Sequence, residues 1–205
     1  MSKTFFEVAM SLDGFIAGPN GGPKNPLGDG GMSVHQWMYG LKSWRQLVGL
    51  EGGVTNDDDK IVQASGERTG AYVMGKNMFI EGEANWPANA PFHAPVYVLT
   101  HQEREPWVRE GGTTFYFITD GIEHALEKAK EAAGGKDVKI SGGAAVIQQC
   151  LNAGLVDEFM VHVAPVMLGR GTYLFKEINP ETVKLEIAET IYSPKVTHLK
   201  YNINH

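Results

Sequence analysis

The chain has 205 residues, 42% of them apolar, and a formal charge of −6. That is enough apolar content for one substantial core, and too little cationic excess for a nucleic-acid or anionic-membrane surface. Cys150 is the single cysteine, which excludes an internal disulfide and a cysteine-rich zinc site.

The first ten residues hold one lysine and an apolar run broken by Glu7, which does not read as a secretory leader. No apolar stretch reaches the roughly 20 residues needed to span a bilayer, so the expected compartment is the cytoplasm. In chain order, Thr4–Ala9 is β-prone and runs into Met10-Ser11-Leu12-Asp13-Gly14-Phe15-Ile16-Ala17-Gly18. Pro19–Gly31 is dense in glycine, proline and asparagine, which predicts a long loop acting as a functional flap. Val34, Trp37, Met38, Leu41, Trp44, Leu47 and Val48 recur at helical spacing. Asn56, followed by Asp57, Asp58 and Asp59, predicts the capped start of a second helix.

From Ala71 onward short strands alternate with helices. Ala71–Met74 is a strand, Gly75-Lys76-Asn77-Met78 opens a helix, and Pro95–Leu99 and Thr114–Ile118 are β-rich. Asp120 and Glu123 predict a capping-box start for a helix over Gly121–Ala133. Val138–Ile140 is a strand. Ser141-Gly142-Gly143 then leads into a helix striped by Val146, Ile147, Cys150 and Leu151 and closed at Gly154. Val156–Val163 is another strand, and Val183–Ile191 pairs with Val196–Ile203 across a turn. The pattern predicts one α/β domain over residues 1–205, with a mixed, mostly parallel sheet, helices on both faces and a C-terminal antiparallel pair.

Two of the strands end in glycine and pass directly into a helix, at Met74-Gly75-Lys76 and at Ile140-Ser141-Gly142-Gly143-Ala144. Such a turn places free backbone N–H groups and the positive end of a helix dipole at one spot, where glycine lets a phosphate approach. Two such turns on one sheet edge could hold a pyrophosphate, although either alone is also an ordinary tight turn. Neither is a G-x-G-x-x-G fingerprint or a P-loop. Lys76, His101 and Arg104 are candidate cations for a ribose phosphate. Asn56 to Glu67 has the length of an EF-hand loop, but Lys60 and Ile61 stand where a ligand and the glycine belong. The seven histidines show no paired metal spacing, so no metal is expected. Trp37, Trp44, Trp86 and Trp107 are read as core or interface residues, with a role in covering a flat heterocycle as the alternative.

Three blocks resemble the dihydrofolate-reductase-like superfamily, and above all the C-terminal reductase domain of the riboflavin-biosynthesis deaminase-reductase. They are Ala9 through Ala17; Val73-Met74-Gly75-Lys76; and the run from Ile140-Ser141-Gly142-Gly143 through Leu155-Val156-Asp157-Glu158 to Pro165-Val166-Met167-Leu168-Gly169-Arg170-Gly171. The resemblance implies a three-layer α/β/α fold that binds NADPH and delivers hydride to a C=N or C=O group of a pteridine-like or ribosylaminopyrimidine-like heterocycle. It places Ala9, Ile16 and Ala17 beside the nicotinamide, and Gly75 and Lys76 at the pyrophosphate. Thr100 and His101 fall at the adenosine ribose and its phosphate, with Ser141, Gly142, Gly143 and Ala144 closing the clamp from the other side.

The resemblance also implies a substrate-side role for Asp13, as an acid whose pKa burial raises; the plain alternative is an Asp-Gly turn. Glu67 and Glu81 are expected to be surface groups. Several positions depart from the family pattern. Ser141 replaces the first of three glycines, Met78 replaces a threonine, and no arginine occurs in the stretch Phe79 through Trp86. The deaminase motifs are absent. Alternatives to the reductase are an NADP(H)-binding sensory module without turnover and a structural protein. A homodimer is expected, with the closing strands or the tryptophan-rich helix at its interface.

Overall fold

Alternating aliphatic runs and glycine-punctuated turns build one nine-stranded sheet with helices laid on each side. The computed structural model describes residues 2–204. The first half contains β1 (Thr4–Ser11), β2 (Phe15–Ala17), a 3-10 turn (Gly31–His35), α1 (Lys42–Leu47), α2 (Asp57–Arg68), β3 (Thr69–Gly75), α3 (Lys76–Glu83) and β4 (Pro95–Leu99). It continues with β5 (Trp107–Val108), β6 (Thr114–Ile118), α4 (Ile122–Ala132), β7 (Asp137–Gly142) and α5 (Ala144–Asn152). The chain closes with β8 (Glu158–Ala164), β9 (Thr172–Tyr173), β10 (Lys184–Tyr192) and β11 (Thr197–Asn204).

The sheet order is β10-β11-β8-β1-β7-β3-β4-β6-β5. The six strands from β8 to β6 run parallel, while β11 pairs antiparallel with both β8 and β10, and the short β5 pairs antiparallel with β6. β2 and β9 form a separate antiparallel pair. This is the mixed, mostly parallel sheet with a closing antiparallel pair that the sequence predicts.

Period-two alternation decides which side each residue faces. Ala71, Val73, Val138, Ile140 and Val161 pack with Leu126, Ala129, Ile147 and Leu151 of α4 and α5 in one core. On the opposite face Met74, Val96 and Val98 meet Phe79, Phe115 and Trp86, and Trp86 stacks on Phe115 at 5.2 Å. Trp86 and Trp107 belong to this aromatic core.

The structure corrects two local expectations. The apolar series from Val34 to Val48 is not one helix. Leu41 is extended at ψ 143° and bridges Val54, whose N–H bonds Gly40 O and whose O accepts from Lys42 N–H. That tie interrupts the helix and leaves only the 3-10 turn and the short α1. Trp37 and Leu41 are still buried with Val196, so the periodicity marked burial rather than a continuous helix. Asp120 does not cap α4. Gly121, at φ +102°, takes the N-cap position, and Asp120 Oδ1 accepts from Thr119 Oγ1 instead. The 19–31 segment, expected as a flap, is a loop with hydrogen bonds of its own. Asp29 accepts from the amides of Asn20 and Asn25, Gly18 N–H bonds Leu27 O, and Asn85, just beyond α3, donates its amide to Pro23 O. By contrast the Asn56 cap forms as predicted, with its Oδ1 accepting from Asp59 N–H at 2.9 Å.

Candidate functional site

A parallel sheet gathers the carboxyl ends of its strands on one edge, and ligands of open α/β sheets bind there. In this chain β1, β7, β3 and β4 end side by side, and a cleft of about 1440 Å³ opens above them. Every residue that the resemblance assigns to a dinucleotide lines it: Ala9, Ile16, Ala17, Gly75, Lys76, Thr100, His101, Ser141, Gly142, Gly143 and Ala144.

The two glycine turns meet. A Cβ added at Gly75 would lie 3.7 Å from Gly143 N and 3.9 Å from Gly142 O, and 2.9 Å from Val146 Cγ2. Gly142 sits at φ +125°, and its peptide bond to Gly143 is cis. α3 and α5 therefore begin next to one another. Neither has a side-chain cap or an acidic residue in its first turn. α2 is the contrast, since its first turn carries three aspartates behind the Asn56 cap. Bare N–H groups at two adjacent helix starts are what a pyrophosphate needs. A Cβ at Gly143 would meet nothing within 4 Å, so the space in front of this turn is open.

The cations divide. Lys76 Nζ stands at the rim, 3.0 Å from Gln102 Oε1, and His101 is exposed beside it. Arg104 is already committed, paired with Glu83 at 2.6 Å and lying over the Phe117 ring at 4.8 Å. It drops out as a phosphate ligand. Thr100 is buried, and its Oγ1 accepts from Gln102 N–H at 3.1 Å, which orders this corner.

Asp13 lies outside the cleft lining. Its carboxylate accepts from Leu168 N–H at 3.1 Å and Gly169 N–H at 2.6 Å. The Ser11 hydroxyl, with these backbone donors, holds its pKa below the ordinary value against the opposing effect of desolvation. The expectation of a raised pKa is therefore reversed. The contact explains why two distant sequence blocks belong together. Leu12 N–H also bonds Val166 O, and Gly171 comes so close to Ala17 that a Cβ would lie 2.0 Å from its carbonyl oxygen. Glu67 is exposed as expected, whereas Glu81 is half-buried and accepts from Leu27 N–H at 3.3 Å.

The floor of the cleft holds groups that sequence reasoning did not select. Glu7 and Lys139, from β1 and β7, are paired at 3.0 Å, and Lys139 Nζ also donates to Ser65 Oγ at 2.7 Å. Burial pushes the Glu7 pKa up, but the Lys139 ammonium, with a hydrogen bond from Ser65, outweighs it and lowers it below the ordinary value. Beside them His162, buried on β8, is pushed down to about 3 by desolvation. The available signal was an ionisable residue between aliphatic neighbours: Val138-Lys139-Ile140 and Val161-His162-Val163. Trp37, Trp44, Tyr72 and Phe92 supply flat apolar walls.

Among the described residues no helix is long and apolar enough to cross a membrane. The uncharacterized protein YyaP of Bacillus subtilis (strain 168) is 37% identical over 213 residues, covering 98% of this chain and 95% of its own. Among solved structures, a Shewanella sp. PV-4 protein named for riboflavin biosynthesis superposes with TM-score 0.67 at 22% identity, covering 99% of both chains. Dihydrofolate reductase from Enterococcus faecalis, complexed with NADP(H) and RAB-propyl, superposes with TM-score 0.56 at 17% identity over 99% of this chain and 97% of that one. These two likenesses establish the dihydrofolate-reductase-like fold. The family model for the RibD C-terminal domain matches residues 3–199, and the chain accordingly belongs to that reductase-like family.

Proposed function

We propose that this chain is an NADPH-dependent reductase acting on a C=N or C=O group of a small planar heterocycle of pteridine or aminopyrimidine type. The observation that carries the reading is the pair of bare helix N-termini meeting at Gly75 and Gly142-Gly143, with Lys76 and His101 at the same rim. In this reading Gly75, Lys76, Ser141, Gly142, Gly143 and Ala144 clamp the pyrophosphate. Thr100 and His101 border the adenosine ribose, and Ala9, Ile16 and Ala17 border the nicotinamide. The cofactor supplies hydride, while the chain binds, orients and excludes water. Asp13 then positions the loop after β1 through Leu168 and Gly169. The aromatic walls suit a flat substrate.

Purified protein with NADPH and a panel of pterins, dihydrofolate and aminopyrimidines tests this. Loss of the reduced-nicotinamide absorbance with one member supports the reductase. Tight NADPH binding with no turnover on any member supports a binding module, and no NADPH binding overturns both. We further assign the chain to the cytoplasm and to a homodimer. Leu185, Ile187 and Tyr192, exposed along β10, are the proposed contact, and a monomeric mass in light scattering overturns the dimer.

A further inference from the structure

Beneath the cleft, polar side chains occupy a sheet face where a parallel sheet usually buries aliphatic ones. Asp58 of α2, His198 of β11 and His162 of β8 are joined in a chain. His198 Nε2 lies 3.0 Å from Asp58 Oδ1, and His198 Nδ1 lies 2.6 Å from His162 Nδ1. All three are buried, His198 completely. Trp37 packs against both imidazoles, with ring centroids 4.9 and 5.1 Å away. His162 lines the cleft and is the cross-strand partner of Ala9. Its Nδ1 is taken by His198, which leaves Nε2 as the ring's remaining polar atom.

Hydrogen-bond chemistry restricts this chain to two states. A carboxylate only accepts, so His198 Nε2 carries a hydrogen. If His198 is neutral, its Nδ1 accepts from His162 Nδ1–H, and His162 Nε2 is an acceptor. If His198 is the cation paired with Asp58, its Nδ1–H donates to His162, and His162 Nε2–H is a donor. The two states differ by one proton: uptake at His162 Nε2, with transfer of its Nδ1 hydrogen across the 2.6 Å contact to His198, converts the first into the second. His162 itself stays neutral in both. Desolvation holds it down, Glu7 opposes that, and His198, Lys139 and His35 reinforce it. A proton can therefore pass through His162 without resting on it.

We infer that Asp58, His198 and His162 form a proton relay ending on the cleft floor beside Ala9, which supplies the proton that accompanies hydride in reducing C=N or C=O. The inference rests on the reductase reading. Hydride from the reduced nicotinamide bonds to the substrate carbon, and the π pair moves onto nitrogen or oxygen. That atom takes the hydrogen of His162 Nε2, while the His198 Nδ1 hydrogen moves to His162 Nδ1. Both rings end neutral, and a solvent proton taken up at His162 Nε2 in the cleft returns the Nδ1 hydrogen of His162 to His198. His162 is the catalytic residue; His198 and Asp58 act through it.

Two measurements test the relay. Long-range 1H–15N spectra of histidine-labelled protein, from about pH 5 to about pH 8 where free histidines titrate, should show His162 neutral throughout. Its tautomer should switch between Nδ1–H and Nε2–H across this range, and His198→Gln should abolish the switch. Independent behaviour of the two rings overturns the relay without any substrate. In turnover with the panel member that wild type reduces, His162→Gln, His198→Gln and the conservative Asp58→Asn should lower kcat about 100-fold. The dissociation constant for NADPH should stay within about twofold, and the pH dependence of kcat should be lost. Variants with wild-type kcat and pH profile overturn the relay while leaving the reductase intact. A wild type that fails to bind NADPH overturns the reductase reading, and this use of the histidines with it.

Discussion

Glu158 opens β8, the strand that carries His162, and three cations converge on it. Arg68 Nη1 and Lys200 Nζ reach its Oε1 at 2.7 and 3.0 Å, and Lys3 Nζ reaches its Oε2. Burial pushes its pKa up, but the hydrogen bonds from Lys3, Arg68 and Lys200 prevail and hold it at about 2, against an ordinary 4.5. At about 1.4 kcal/mol per pH unit, that difference corresponds to about 3 kcal/mol of stability. The carboxyl itself is only 3% exposed, yet Lys3 is 52% exposed and partly screened, so about 2 kcal/mol is expected in practice. Because the folded pKa is depressed, this stabilisation is complete above the unfolded value and is lost as pH falls from about 4.5 toward about 2. Urea unfolding of wild type and Glu158→Gln, followed by circular dichroism, should differ by about 2 kcal/mol at neutral pH. The gap should fall to less than half of that by about pH 3. An equal gap at both pH values would refute the charge-based account and leave only a packing role for Glu158.

Gly143→Val adds bulk where nothing lies within 4 Å, so the melting temperature should change little. The NADPH dissociation constant should rise at least tenfold, about 1.4 kcal/mol; unchanged affinity in a titration would remove this turn from the clamp. Asp13→Asn leaves one carbonyl oxygen for two backbone donors, so amide exchange at Leu168 and Gly169 should accelerate. In wild type the same loss of protection, relative to the unstructured exchange rate at each pH, should appear on acidification below the usual aspartate range because the native pKa is lowered. Unaltered exchange in the variant would show that the tie does not order this loop. Burial, with Glu123 adding to it, pushes the Cys150 thiol up to about 12. A disulfide reagent should therefore find no thiol in the native protein and one after denaturation; fast native labelling would contradict the buried position.

Much of the fold was legible because its elements are encoded locally. β4 and β6 occupy the predicted residues, Asn56 caps α2, and Gly154, at φ +66°, closes α5. Period-two and helical spacing reveal which side of an element is buried, and glycine at a strand end reveals a turn that a ligand can approach. The two glycine turns could thus be chosen without coordinates, whereas Ala9, Ile16, Ala17, Thr100 and His101 were placed by the family resemblance. The broken helix around Leu41 could not, because its cause is a bridge to Val54 beyond the reach of any local window.

Sheet order is what the sequence by itself left open. β7, late in the chain, inserts between β1 and β3, and this brings Gly143 against Gly75 and Lys139 against Glu7. β11 pairs with β8, setting His198 opposite His162 and within reach of Asp58 on α2. Composition and spacing determined that this chain forms a layered α/β fold with two glycine-ended strands. Only long-range pairing decided that the two turns face one cleft and that its floor is ionisable, because such contacts depend on which strands become neighbours and not on the residues beside them in the chain.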